Sequence, residues 1–261
     1  VNGEEFKTYT EAITLTGQTT VTAYAQADGL NNSEQVTFTY DVVTVKPISE
    51  VRLYAKGKVA IVEGILTHKA GREMYIQDET GGIVLYDFDS SVANVGDKVR
   101  AGGEMEIYNN LQELKPRDPF PYEVIETNVG VPAAKVISPE QLSAENGESI
   151  EAQYIKIENV EIVQVNGQSV TAKSNDIEFI IYSSLEKLQV GNKFEYIEGV
   201  VKQFRDQYQV IPLSDAALVE NSFSVQATPA SGKIIKGEKV ELSSPTEGEI
   251  YYTLDKSEPT I

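Results

Sequence analysis

The chain contains no cysteine. Neither a disulfide framework nor thiolate chemistry is open to it. It has a single histidine, His68. One imidazole excludes histidine-rich metal sites and argues against a Ser-His-Asp or Cys-His mechanism. No run of about 18 apolar residues occurs, so no segment is expected to span a membrane. Basic residues are scarce: 22 Lys and Arg stand against 40 Asp and Glu, a net charge of -18. Such a charge keeps a chain soluble and repels polyanions at long range. The opening Val1-Asn2-Gly3 carries no secretory signal pattern. The chain is expected to be a segment of a longer, exported protein whose targeting segment lies outside it.

The acidity is uneven. Residues 51–118 hold nine Lys/Arg against eleven Asp/Glu, whereas residues 134–220 hold seven against fourteen. The first fifty residues hold two against seven. Nucleic-acid binding is therefore expected, if anywhere, in the nearly neutral segment 51–118. A length of 261 residues allows two or three domains with real cores.

What is present is β-pattern. From Met74 to Phe88 the residues Met74, Ile76, Ile83 and Leu85 alternate with Tyr75, Gln77, Val84 and Tyr86 around Asp78-Glu79-Thr80-Gly81-Gly82. This reads as a β-hairpin, with the paired glycines expected to supply the positive φ of a tight reversal. A long strand, Gly57 to Thr67, precedes it, and Gly64 is expected to mark its bend. Ser90 to Val95 reads as a short helix or turn. Val95-Gly96-Asp97-Lys98-Val99 leads into a strand to Tyr108, and Asn109-Asn110 turns that strand into Leu111–Leu114. Five strands, a bent first one and a short connection before the fourth are the plan of an OB-fold barrel.

Residues 134–220 repeat the plan. Val190-Gly191-Asn192-Lys193-Phe194 matches Val95–Val99, and Phe204–Pro212 matches Tyr108–Pro116 with an expected offset of about one residue. Ser138-Pro139-Glu140-Gln141-Leu142 reads as a short helix with Ser138 as its cap and Pro139 in its first turn. Tyr154–Val160 opens the second barrel, and Asn166-Gly167 is its expected hairpin turn. The Asp-Glu-Thr-Gly-Gly turn has no counterpart in this repeat.

The ends differ from the middle. Residues 1–43 are Thr-rich, with strands expected at 12–15, 19–25 and 35–40. Residues 223–261 show strand candidates at 223–225, 239–242 and 249–254, separated by Pro229, Gly232, Gly237 and Pro245. Pro229-Ala230-Ser231-Gly232, followed by Ile250-Tyr251-Tyr252-Thr253-Leu254-Asp255-Lys256-Ser257-Glu258-Pro259-Thr260, resembles the front half of the immunoglobulin-like chitobiase/β-hexosaminidase C-terminal domain. Lys256 stands where that family usually has glycine. Residues 6–40 resemble the back half, through Tyr9, Ile13-Thr14-Leu15, Thr20-Val21-Thr22-Ala23 and Asp28-Gly29. The central motifs, Tyr75–Ile83 with Val95–Val99 and Ser138–Leu142 with Tyr154–Val160, resemble tandem OB-fold domains of bacterial secreted and surface proteins, some of which accompany extracellular nucleases.

These resemblances imply an all-β chain of two tandem OB-fold-like barrels flanked by partial immunoglobulin-like β-sandwich halves. The expected divisions are 1–44, a linker at 45–50, barrels at 51–130 and 131–220, and a second half-domain at 221–261. Each half leaves edges and an apolar face uncovered. The two halves are expected to complement each other within one chain or head-to-tail between copies, against the simpler reading that each packs on its neighbouring domain.

Candidate site residues are few. His68, with Lys69 and Arg72, is expected in the loop before the central hairpin, one of the loops on which OB-folds bind ligand. Tyr75, Tyr86 and Tyr108 offer faces for stacking bases or sugars. Against this stands the reading that they cover the barrel's ends, since tyrosine is common in sheets for packing reasons alone. Phe204, Arg205 and Tyr208 form a similar cluster in the second repeat, with the same two readings. Asp78, Glu79, Asp87 and Asp89 are the oxygen ligands a Ca²⁺ ion takes, but their spacing matches no known loop and they read as turn formers. No metal, no cofactor and no catalytic residue is expected; carboxylates are too abundant for any pair to mark a glycosidase.

The expected function is a non-catalytic binding or spacer module of an exported bacterial surface protein. The flanking resemblance implies a carbohydrate or cell-surface polymer as ligand. The alternative is an accessory nucleic-acid-binding module of a secreted nuclease, which the net charge disfavours.

Overall fold

The computed structural model describes residues 7–220, 225–244, 248–257 and 259. The expected features at Phe223-Ser224, Pro245, Glu258 and Thr260 lie outside these residues. The chain divides into two compact units, Val1–Val131 and Pro132–Ile261.

The first unit begins with a two-stranded antiparallel sheet, β1 (Thr19–Ala23) and β2 (Val36–Tyr40). Its faces segregate. Val21 lies opposite Phe38 on one, while Thr20/Thr39 and Thr22/Thr37 bring their hydroxyls to 3.5 and 3.3 Å on the other. The strand expected at Ala12–Leu15 does not form. A four-residue helix, α1 (Ile48–Val51), follows, and then β3 (Val59–Ala70), β4 (Glu73–Gln77), β5 (Gly82–Tyr86), β6 (Lys98–Tyr108), β7 (Leu111–Pro116) and β8 (Tyr122–Glu126). The strand order β3-β4-β5-β7-β6, with β3 pairing β6 and β5 parallel to β7, closes a five-stranded barrel; β8 adds outside β6.

The second unit holds β9 (Lys135–Val136), 3-10 turns at Pro139–Leu142 and Gly147–Ile150, β10 (Tyr154–Asn166), β11 (Ser169–Ser174), β12 (Ile177–Tyr182), β13 (Lys193–Phe204), β14 (Gln207–Pro212), a 3-10 turn at Asp215–Ala217 and β15 (Leu218–Glu220). Its order β10-β11-β12-β14-β13, closed by β13 on β10 with β12 parallel to β14, is the same barrel. Among the described residues the chain therefore carries two tandem OB-fold-like barrels. A last small sheet, β16 (Gln226–Thr228) with β17 (Glu241–Ser243), follows. Each terminal sheet has two strands among the described residues.

The alternation in the central hairpin sorts as expected. Met74, Ile76, Ile83 and Leu85 enter the first core with Ile48, Val51, Leu66, Val99 and Leu114. The second core collects Ile137, Leu142, Ile155, Phe179, Phe194, Tyr208 and Val210.

The repeat holds in the structure: Tyr108 pairs with Leu111 as Phe204 pairs with Gln207, and the Gly96 and Gly191 amides donate to the equivalent Leu66 and Ile162 carbonyls, one residue out of step with those hairpins as expected. The first strand of each barrel shifts register at the same place, between Leu66 and His68 and between Ile162 and Gln164. Gly64 lies beside these bulges, where β3 passes from β6 to β4, and a Cβ there would lie 3.0 Å from the Gln77 carbonyl oxygen. Gly103 and Gly199 occupy one equivalent position, where β6 and β13 cross their neighbours. A Cβ on Gly103 would lie 2.0 Å from the Lys115 carbonyl oxygen, and one on Gly199 would lie 2.5 Å from that of Ile211.

Two local expectations change, and at Ser90–Val95 the turn is the alternative taken. Gly81 and Gly82 do not take positive φ. Gly81 instead faces α1: a Cβ there would lie in ordinary contact with Ile48 Cγ2, at 3.7 Å. Ser90–Val95 is a turn, with Asp89 Oδ1 accepting from the amide and hydroxyl of Ser91 at 2.9 and 2.7 Å. In the second barrel Asn166 still pairs with Ser169, so the reversal falls on Gly167, at φ 59°, and Gln168. The Ser138 segment behaves as expected, and its amide donates to Gln141 Oε1 at 3.3 Å.

Candidate binding surface

The β3–β4 reversal is two residues long, Gly71-Arg72, with Gly71 at φ 62°. It projects Arg72 past the end of β5. There Arg72 Nε donates to Asp87 Oδ1 at 2.9 Å, and its Nη2 pairs with the other carboxylate oxygen. Asp87 itself has φ 68°, and its amide donates to the Arg72 carbonyl at 2.9 Å, which fixes the loop. The Arg72 guanidinium holds the Asp87 carboxyl below its ordinary range, and Asp87 raises Arg72 in return.

Tyr86 ends β5 between two cations. Arg72 Cζ lies 4.9 Å from its ring centroid and Lys115 Nζ lies 5.1 Å from it. Lys115 comes from β7, which the parallel β5–β7 pairing sets beside Tyr86. Sequence reasoning found Arg72 and Tyr86 but missed Lys115. The barrel plan carried the signal, since it makes the third and fifth strands neighbours.

His68 is not in a loop. It lies within β3, opposite Tyr75, with the ring centroids 5.8 Å apart. Burial pushes its imidazole below the ordinary value, against the opposing charge of Glu73, and it is neutral at pH 7. Tyr75 is fully buried, and its hydroxyl donates to Glu73 Oε2 at 2.8 Å. It has no face to offer a ligand. Val84, Leu111 and Glu113, which share its side of the sheet, are also buried, so the middle of this face is closed.

Tyr108 is 62% exposed at the far end, beside Asn109 and Asn110, which take φ of 49° and 72° to make the hairpin turn. Four residue steps along β7 separate it from the Tyr86 end, about 13 Å at ~3.3 Å per residue. The three tyrosines are thus an exposed end, a half-buried cation-flanked end and a buried centre.

In the second barrel Phe204 and Arg205 stay together, with Arg205 Cζ 5.3 Å from the Phe204 ring. Tyr208 leaves the cluster. It is buried in the core, and its hydroxyl donates to Glu148 Oε2 at 3.1 Å. The reason is parity: Phe204 and Tyr208 are four apart but separated by a hairpin turn, which places them on different faces.

Three of the four carboxylates of the metal reading have separate partners. Asp78 accepts backbone amides, Asp87 pairs with Arg72, and Asp89 accepts from Ser91. Among the described residues no group of three or more His, Asp or Glu is placed to hold a metal. No helix there is long and apolar enough to cross a membrane.

No family model and no curated protein matches this chain. Solved structures with some likeness include a p204 HINb domain, 22% identical over 31% of this chain and 47% of that one, with a TM-score of 0.27. The match thus spans about half of that structure's length. A murine DNA-binding protein bound to double-stranded DNA is 11% identical over 61% of this chain and 96% of that one, at 0.29. A replication protein A heterotrimer bound to single-stranded DNA is 9% identical over 70% and 74%, at 0.24. Likeness this loose carries no argument about ligand or activity.

Proposed function

We propose that the chain is a non-catalytic binding module whose first barrel engages a single-stranded nucleic acid at the Arg72–Tyr86–Lys115 end. One observation carries this reading: a tyrosine ring at the barrel's rim lies between two cations from different elements. The ring gives a base a stacking surface when Arg72 or Lys115, which lie over it, turns to a flanking phosphate. The near neutrality of residues 51–118 supports it further. The contact is small, with two or three phosphates, so affinity is modest and its salt slope shallow, about -0.7 per phosphate.

A second reading, a carbohydrate or cell-surface polymer, rests on a different observation. The cations here are already paired: Arg72 with Asp87, Lys115 with Glu106 at 4.0 Å, and Arg117 with Glu104. Paired carboxylates and guanidinium beside a tyrosine suit sugar hydroxyls better than a polyanion. This reading sets the module in an exported surface protein, as the terminal resemblances imply. The exposed apolar residues Phe38 and Tyr252 support head-to-tail cover of the terminal segments between copies; a monomeric mass at all concentrations would remove that part.

Anisotropy of a labelled single-stranded oligonucleotide, titrated with the whole chain at low and high salt, separates the readings. Salt-sensitive binding lost in Tyr86→Ala supports the first. No binding at low salt, where the electrostatic contribution is largest, ends it and leaves a polysaccharide screen.

A further inference from the structure

The two barrels differ at one place on their shared plan. In the first, Val45 bridges Ile61 and the Lys46 amide donates to the Ile61 carbonyl at 2.8 Å. In the second, Val136 pairs with Lys156 and the Ile137 amide donates to the Lys156 carbonyl at 2.9 Å. This register makes Leu142 the counterpart of Val51 and Ser143 the counterpart of Arg52. The parallel pairs Val84/Glu113 and Ile180/Gln209 likewise make Ile177-Glu178 the counterpart of Gly81-Gly82.

In the first barrel this corner is filled from within. Arg52 Nη1 donates to the Gly82 carbonyl at 3.0 Å. The arginine stem lies directly over this turn: a Cβ on Gly81 would be in ordinary contact with Arg52 Cδ, at 3.9 Å. In the second barrel the arginine is a serine and the glycines are isoleucine and glutamate. A groove of about 570 Å³ remains. Its floor is apolar, from the buried Leu142, Phe179 and Tyr208, and its rim carries the exposed Glu140, Ser143 and Glu178.

We propose that this groove binds an arginine side chain of an extended segment of a partner protein, in the position that Arg52 fills in the first barrel. The counterpart corner shows which group the plan accommodates. The apolar floor suits the arginine's methylene stem. The carboxylates of Glu140 and Glu178, neither of which forms an ion pair among the described residues, suit its planar fork. The seven Lys/Arg against fourteen Asp/Glu of residues 134–220 draw cations to this barrel. The site does not depend on what the first barrel binds.

The test is calorimetric titration of the whole chain with acetyl-Leu-Arg-Leu-amide and with the same peptide carrying neutral citrulline. The arginine peptide binds, and the citrulline peptide binds about tenfold or more weakly, a difference of about 1.4 kcal/mol. Joint Glu140→Gln and Glu178→Gln exchange weakens arginine binding to the same extent. Ser143→Arg, which gives the second barrel the side chain of the first, abolishes binding while thermal melting shows the barrel folded. No binding by the unsubstituted chain, equal binding of the citrulline peptide, or undiminished binding by folded Ser143→Arg overturns the proposal.

Discussion

Asp78 accepts the backbone N–H of Ile48 at 2.9 Å across 30 positions of the chain. The same carboxylate takes the amides of Thr80 and Gly81 at 2.7 and 2.9 Å, and the Thr80 hydroxyl accepts the Ser49 amide at 3.1 Å. The Asp-Glu-Thr-Gly-Gly turn is therefore a latch for α1, whose Ile48 and Val51 enter the barrel core. The second repeat lacks the turn and caps its own segment through Ser138 and Gln141 instead.

Asp78→Ala should destabilise the first barrel by about 2–3 kcal/mol, because it removes a cap and leaves amides without an acceptor. Urea unfolding should show a lowered midpoint for one transition with the other unchanged. Asp78→Asn, which keeps an acceptor oxygen, should lose less.

Gly103→Ala and Gly199→Ala should each cost about 3 kcal/mol, at or above the usual range for overpacking. In both, the obstacle is a backbone carbonyl, which cannot turn aside. Calorimetry should show each substitution lowering the melting of its own barrel. An alanine tolerated at both positions would contradict the close crossings.

Acid should weaken the first barrel through Asp97 and Glu63. The Asn128 and Asn94 amides hold the Asp97 carboxyl below its ordinary value. Arg100, then Lys98, lowers Glu63. Both folded values lie below the unfolded ones of about 3.9 and 4.3. Their stabilisation is therefore present above those values and is lost as pH falls through the depressed folded ones. Asp97→Asn, the residue the second barrel carries at Asn192, should flatten the acid limb of a stability-against-pH curve between about pH 5 and 2.

Tyr86→Ala should weaken oligonucleotide binding by about 1–3 kcal/mol. Tyr75→Phe should leave binding unchanged and instead lower the melting temperature, since it removes only a buried hydroxyl that donates to Glu73. Anisotropy and melting curves on the two variants separate a binding tyrosine from a packing one.

The sequence by itself determined the all-β character, both barrels, the central hairpin and the repeat, because alternation of period two and turn residues are local properties of the chain. Only the tertiary structure decided which tyrosines are free. Tyr75 and Tyr208 stand in the same pattern as Tyr86 and Tyr108, yet both are buried, Tyr208 inside its barrel's core and Tyr75 among Val84, Leu111 and Glu113 on the outer face of the first. Closure brought Lys115 to Tyr86 from a strand distant in sequence. It also turned Gly81-Gly82 into a seat for α1 and Arg52, where the residues alone suggested a left-handed turn. Strand pairing between distant segments decides these points, and no window of neighbouring residues contains both partners.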